Sequence, residues 1–122
     1  MAMNQQGGSP TDVAGVTGVP TEVDALSAVA GLLHALSDPN RLAILEHLAL
    51  GEHRVVDLTA HLGLAQSTVS KHLACLRDCG LVVSRPSGRA SMISLAQPEL
   101  THAVLAATVR LLDVTSGPCG AA

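Results

Sequence analysis

From Glu22 to Leu36 the apolar residues Val23, Leu26, Val29, Ala30, Leu33 and Leu36 recur at three- and four-residue steps, which marks one face of a helix. A second helix is predicted to open at Asp38, whose carboxylate suits the free N–H groups of a first turn, with Pro39 at the first helical position. Its stripe is Leu42, Ile44, Leu45 and Leu48, and Gly51 ends it. Val55 to Leu62 predicts a short helix closed by Gly63. After the break Gly63-Leu64-Ala65 comes a longer helix from about Gln66 to Cys79, with Val69, Leu73 and Leu76 as its buried stripe. Short helix, glycine turn and longer helix together form a helix-turn-helix pattern.

Gly80 stops this helix. Two β-rich runs, Leu81 to Arg85 and Ala90 to Leu95, flank Pro86-Ser87-Gly88-Arg89 and predict a hairpin with a basic tip. A final helix from about Pro98 to Asp113 carries Leu100, Val104, Leu105, Val109, Leu111 and Leu112 on more than one side, a surface suited to burial between subunits. Residues 1–20 are rich in Gly, Gln, Ser, Thr and Pro without apolar period, and 114–122 are mostly small residues. The expected organisation is a flexible arm at 1–20, a winged helix-turn-helix domain at 21–113 and a flexible tail at 114–122. The fold class is mainly α with a small β-hairpin, as a homodimer.

Composition narrows the function. The chain of 122 residues is 48% hydrophobic but has no Phe, Tyr or Trp. Its core must therefore be aliphatic, and the stacking platforms on which single-stranded nucleic acid is bound are missing. Double-stranded DNA stays open as a partner. The formal net charge of −3 disfavours indiscriminate phosphate binding. Between Gln66 and Arg89, however, Lys71, Arg77, Arg85 and Arg89 face the single acid Asp78, a local +3 that leaves −6 for the rest. Gln66, Ser67, Thr68, Ser70, Lys71 and His72 on the leading half of the longer helix, with Arg85 and Arg89 on the hairpin, are the candidate DNA-binding residues. No apolar run reaches the ~18 residues that cross a bilayer, and the first twenty residues lack a basic segment followed by an apolar one, so cytoplasmic residence is expected.

Three cysteines are an odd number, which favours free thiols over a disulfide framework. Cys75 and Cys79 are four residues apart and project from one side of the longer helix. A cysteine on a helix is more often a small core hydrophobe, but an isolated Cys119 in a Gly/Ala/Pro tail contributes nothing to packing. Cys75, Cys79 and Cys119 make a soft candidate metal site, favouring Cd(II), Pb(II), Hg(II), As(III) or Zn(II) over Mg(II), Ca(II) or Mn(II). His72, three residues before Cys75, is a weaker candidate for a fourth ligand than for a DNA contact or a structural hydrogen bond. His34, His47, His53, His61 and His102 show no paired ligand spacing and read as half-exposed helix or loop residues. A thiol redox switch is the first rival. The second, a thiol enzyme with Cys75 as nucleophile, lacks a phosphate loop or an activating Cys-His-acid set.

Several stretches together resemble the ArsR/SmtB family of metal-responsive repressors. They are Ala35-Leu36-Ser37-Asp38-Pro39-Asn40-Arg41-Leu42-Ala43-Ile44-Leu45, Asp57-Leu58-Thr59-Ala60-His61-Leu62-Gly63-Leu64, Gln66-Ser67-Thr68-Val69-Ser70-Lys71-His72-Leu73 and Leu76-Arg77-Asp78-Cys79-Gly80-Leu81-Val82. The resemblance spans Leu33 to Asp113 and implies winged-helix homodimers that leave operator DNA on binding metal. Members that sense through the short helix carry Cys-Val-Cys-Asp-Leu, where this chain reads Arg54-Val55-Val56-Asp57-Leu58. Members that sense on the last helix use acidic and histidine ligands, where this chain has Gln97, Glu99, Arg110 and Asp113. The run from His72 to Val82 is similar instead to the cadmium- and lead-sensing CmtR branch. That likeness implies ligation by Cys75 and Cys79, with a third cysteine from the tail of the other subunit, here Cys119. Two departures stand out: Ala65 where a Ser or Thr usually caps the longer helix, and Ile93 where the wing usually carries an aromatic residue.

Overall fold

The computed structural model describes residues 18–115. The predicted arm falls almost wholly outside them, and so does Cys119. Of these, residues 18–33 and 34–115 belong to two separate compact units. Most of helix α1 (Val23–Ala35) lies in the first, with Val23, Val29, Leu32 and Leu33 exposed.

In the second unit the elements run α2 (Pro39–Leu48), β1 (His53–Arg54), α3 (Val55–Leu62), α4 (Gln66–Asp78), β2 (Val82–Ser87), β3 (Ala90–Leu95) and α5 (Pro98–Val114). Local chemistry sets the helix ends. The Asp38 carboxylate accepts from the N–H groups of Asn40 at 2.9 Å and Arg41 at 3.1 Å, with Pro39 following, so α2 starts where the sequence places it. Gly63 closes α3 in a left-handed conformation, and Leu64-Ala65 lead directly into α4.

Ile44, Leu45 and Leu48 of α2, Leu58 of α3, Val69, Leu73 and Leu76 of α4, and Val82, Ile93 and Leu95 of the sheet form one buried cluster. This is the aliphatic core that a chain without aromatic rings requires. Burying a Leu or Ile in such a core contributes roughly 1.5–3 kcal/mol each.

The β structure exceeds the predicted hairpin. The sheet has three strands in the order β1-β3-β2, all antiparallel, with β1 paired to β3 through His53↔Ile93 and Arg54↔Met92. Two residues are too few to leave a period in the sequence, so β1 exists only because β3 offers a free edge. Strand β2 runs two residues further than Leu81–Arg85 predicts, to Ser87, which leaves Gly88-Arg89 as a two-residue tip. Pro86 is tolerated within it because β2 is an edge strand. Ile93, in the central strand, is 1% exposed, so the residue that stands in for an aromatic ring is a core residue.

Helix α5 is different in kind. Only Thr101 on it is buried, while Leu100, Val104, Val109, Leu111, Leu112 and Val114 are exposed. Among the described residues no helix is long and apolar enough to cross a membrane.

Candidate nucleic-acid interface and thiol site

Helix α4 carries both candidate functions, one at each end. At its start no side chain caps the helix, because Ala65 has no acceptor to offer. Gln66, Ser67, Ser70 and Lys71 are exposed and Thr68 is half-buried, while Val69, Leu73 and Leu76 anchor the opposite face in the core. Such a face presents amide, hydroxyl and ammonium groups, which can pair with base edges and phosphates.

His72 is directed inward. Its side chain is 16% exposed, with Nε2 3.7 Å from the Asp38 carboxylate and Nδ1 3.4 Å from an Arg41 guanidinium nitrogen. Arg41 also donates to the carbonyls of Ala35 and His34. The Asp38 carboxyl is held below its ordinary range, first by the Arg41 N–H, then by the charge of His72 and the Asn40 N–H, against the opposing effect of lost water. His72 therefore links α4 to the start of α2 and does not join the exposed face formed by the other candidate DNA-binding residues of the helix.

On the wing the two arginines differ. Arg89 is exposed at the tip. Arg85 makes a bidentate ion pair with Glu52, Nε to Oε2 at 2.8 Å and the second nitrogen to Oε1 at 2.7 Å. That pair holds the Glu52 carboxyl below its ordinary value, chiefly through the hydrogen bonds. A phosphate reaching Arg85 must compete with this carboxylate. The pair joins residues 33 apart in sequence, and nothing local announced it.

At the far end of α4, Cys75 is half-buried and Cys79 exposed, and both are free thiols. Cys79 sits one position beyond the helix, held by a specific stop. The Gly80 N–H donates to the Arg77 carbonyl at 2.9 Å and the Leu81 N–H to the Leu76 carbonyl at 2.9 Å, the paired bonds of a Schellman motif. Gly80 supplies the required left-handed residue at φ 77°. The two thiols stand one helical turn apart on the same side of the helix end. Burial, the Cys75 sulfur and the Asp78 charge together push the Cys79 thiol above its ordinary value.

This donor set fits a soft cation: two free thiols one turn apart on one side of a helix end. Among the described residues no third His, Cys, Asp or Glu joins them in a group that could hold a metal ion. The positions of the two alternative sensing sites carry other chemistry. Arg54 is ion-paired to Asp57 at 2.9 Å and Val56 is exposed on α3, while Arg110 lies on α5.

A family model described as "Bacterial regulatory protein, arsR family" matches residues 38–84, from the Asp38 cap into the wing. The HTH-type transcriptional regulator CmtR of Mycobacterium tuberculosis is 46% identical over 95 residues, covering 76% of this chain and 80% of that protein. This chain belongs to the ArsR/SmtB family. As an ArsR/SmtB protein it is a DNA-binding regulator rather than an enzyme. A probable mercury resistance operon repressor of Streptomyces lividans is 37% identical, covering 69% of this chain and 67% of that one. Among solved structures, the homodimeric winged helix-turn-helix DNA-binding domain Mb0332 of Mycobacterium bovis superposes with a TM-score of 0.66 at 29% identity, covering 79% of this chain and 94% of that one.

Proposed function

We propose that this ArsR/SmtB protein is a metal-sensing repressor. It holds double-stranded operator DNA as a homodimer and is released when the thiolates of Cys75, Cys79 and Cys119 capture a soft ion, Cd(II) or Pb(II) ahead of As(III), Hg(II) or Zn(II). The observation that carries the reading is that two free thiols, one helical turn apart, stand at the end of the same helix whose opposite end exposes Gln66, Ser67, Ser70 and Lys71. Ligand capture at one end and operator contact at the other draw on one rigid element, so each weakens the other by the same factor. The ion supplies the charge that favours thiolate over thiol.

The choice of cadmium and lead rests on the likeness of His72 to Val82 to the CmtR branch, together with the softness of sulfur. Cys119 lies outside the described residues and enters as the third ligand. Gln66, Ser67, Thr68, Ser70 and Lys71 read the major groove. Arg85 and Arg89 hold flanking phosphate or minor groove, and His72 acts through Asp38 and Arg41 to fix the pose of α4. The exposed leucines and valines of α5 form the subunit contact, as the homodimeric relative suggests. A reducing cytoplasm suits both free thiols and operator DNA.

Fluorescence anisotropy of labelled operator, titrated with Cd(II), Pb(II), Zn(II) and As(III), tests the reading. Release by a soft ion that disappears in Cys119→Ser supports it, and release unchanged in that variant removes Cys119 from the site. The same two free thiols leave a second reading, a thiol redox switch, although their four-residue helical separation lies near the upper limit for an unstrained disulfide. A peroxide arm of the same titration, with thiols counted before and after, distinguishes the two.

A further inference from the structure

Three histidines that show no common spacing in the sequence meet in space. His47 from the last turn of α2, His53 from β1 and His61 from the last turn of α3 place their ring centroids 5.0 Å (His47–His61), 5.6 Å (His53–His61) and 6.2 Å (His47–His53) apart. From this geometry we infer a second cation site, in which the three imidazoles bind a borderline divalent ion of the Zn(II) class, separate from the thiol site.

The spacing is the first argument. With Zn–N near 2.0–2.1 Å, an imidazole centroid lies roughly 3.2 Å from the ion, so two rings at a tetrahedral angle stand about 5 Å apart. The His47–His61 separation of 5.0 Å meets that value, and the other two, at 5.6 and 6.2 Å, exceed it. The second argument is the orientation of His53. Its Nδ1 lies 2.8 Å from the Gly51 carbonyl oxygen, which can only accept, so Nδ1 carries a proton and Nε2 is the nitrogen left for a metal ion in the neutral ring. A backbone carbonyl fixing the tautomer and ring direction of a histidine is the usual support behind a metal ligand. The third is chemical. The nearby carboxylates, Glu52 and Asp57, are committed to Arg85 and Arg54, which leaves an all-nitrogen set suited to Zn(II), Co(II), Ni(II) or Cu(II) rather than to Mg(II) or Ca(II).

As placed, the described residues, these three rings included, form no group of three His, Cys, Asp or Glu that could hold a metal ion, so ligation requires side-chain rotation. His47 and His61 lie nearly parallel, at 15°, so at least one must turn about its side-chain bonds to aim a nitrogen at a shared ion. His61 is exposed and His47 half-buried, so the turn meets little resistance at His61, and solvent has access to a fourth position. Once closed, the site ties β1, which pairs with the wing at His53↔Ile93, to the ends of α2 and α3 just before the turn into α4.

The test uses the untagged full chain carrying Cys75→Ser, Cys79→Ser and Cys119→Ser, which removes the thiol site and separates this inference from the proposed sensor. Zn(II) binding is measured by competition with a chromophoric chelator, and Co(II) serves as a spectroscopic probe. One equivalent per protomer is expected, with ligand-field bands of a nitrogen-bound ion. Adding His61→Gln or His47→Gln should weaken binding at least about tenfold. Zn(II) should also protect His47, His53 and His61 from diethyl pyrocarbonate while His34 and His102 stay reactive. Because His61 is exposed, its replacement leaves the fold intact, which circular dichroism verifies. Zn(II) affinity unchanged by His61→Gln, or no selective protection of the three, overturns the inference.

Discussion

The backbone N–H of Cys79 donates to the carbonyl of Cys75 at 3.2 Å, so the two cysteines are fixed one turn apart by the last backbone hydrogen bond at the end of α4. The helix itself sets the backbone of Cys75, and the Gly80 turn that ends it sets that of Cys79. A pair set this firmly needs little reorganisation to share an ion, and a load on it acts directly on the helix that carries Gln66 to Lys71.

Cys79→Ser should therefore uncouple sensing from DNA binding. In the unsubstituted protein Cd(II) is expected to weaken operator affinity by about 5- to 150-fold, the usual range of such couplings. In the variant the metal-free affinity should stay within about twofold of the original while the Cd(II) effect vanishes, read by anisotropy with and without metal.

The same pair sets a pH dependence. Cys79 is pushed above its ordinary thiol value, so near neutrality it carries its proton, and capturing an ion as thiolate must expel it. Apparent Cd(II) affinity should rise with pH by about tenfold per unit for each proton released, across roughly pH 6 to 8, with no plateau before the thiol range. Competition titrations at several pH values in a non-coordinating buffer measure the slope, and a flat profile contradicts thiolate capture.

Glu52 restrains the wing. Its carboxylate occupies the edge of Arg85 formed by Nε and one terminal nitrogen, so phosphate must compete for it. Glu52→Gln should raise operator affinity and steepen its salt dependence by about one counterion, whereas Arg89→Ala should lower the slope by a similar amount. Anisotropy across a salt series distinguishes the two.

Asp38 is the acid-sensitive cap. Its folded-state pKa lies below the ordinary carboxylate value of 3.8, so its contribution to stability is complete above that value and disappears as pH falls through the lowered one. Asp38→Asn keeps an acceptor for the Asn40 and Arg41 N–H groups but loses the charge facing His72 and Arg41. Its destabilisation relative to the unsubstituted protein should be evident near neutrality and should shrink in acid, followed by urea unfolding at several pH values.

Gly80 has open space where a Cβ would stand, so only backbone strain opposes substitution there. At φ 77° Gly80→Ala should cost about 1–2 kcal/mol in denaturant unfolding. Gly80→Asn should cost less, since Asn tolerates the left-handed region. Because the turn positions Cys79, Gly80→Ala should also weaken Cd(II) binding more than its stability loss alone explains.

Much of this architecture is written in short-range pattern. The Asp38-Pro39 start, the glycine stop at Gly63, the Val69-Leu73-Leu76 stripe and the four-residue spacing of Cys75 and Cys79 are each decided by residues within a turn or two, where propensity, capping and periodicity act. The candidate thiol pair was legible for the same reason.

What tertiary structure alone decided are relationships between residues far apart in the chain. Strand β1 exists because β3 presents an edge. Arg85 is engaged because folding brings Glu52 to it, and His72 turns to Asp38 and Arg41 instead of outward. His47, His53 and His61 read as unrelated half-exposed residues until three elements packed their ends together. Local sequence encodes backbone conformation and the buried face, because those free energies come from near neighbours. Which polar side chains meet across elements is set by the packing of the whole aliphatic core, and no short window of residues contains that information.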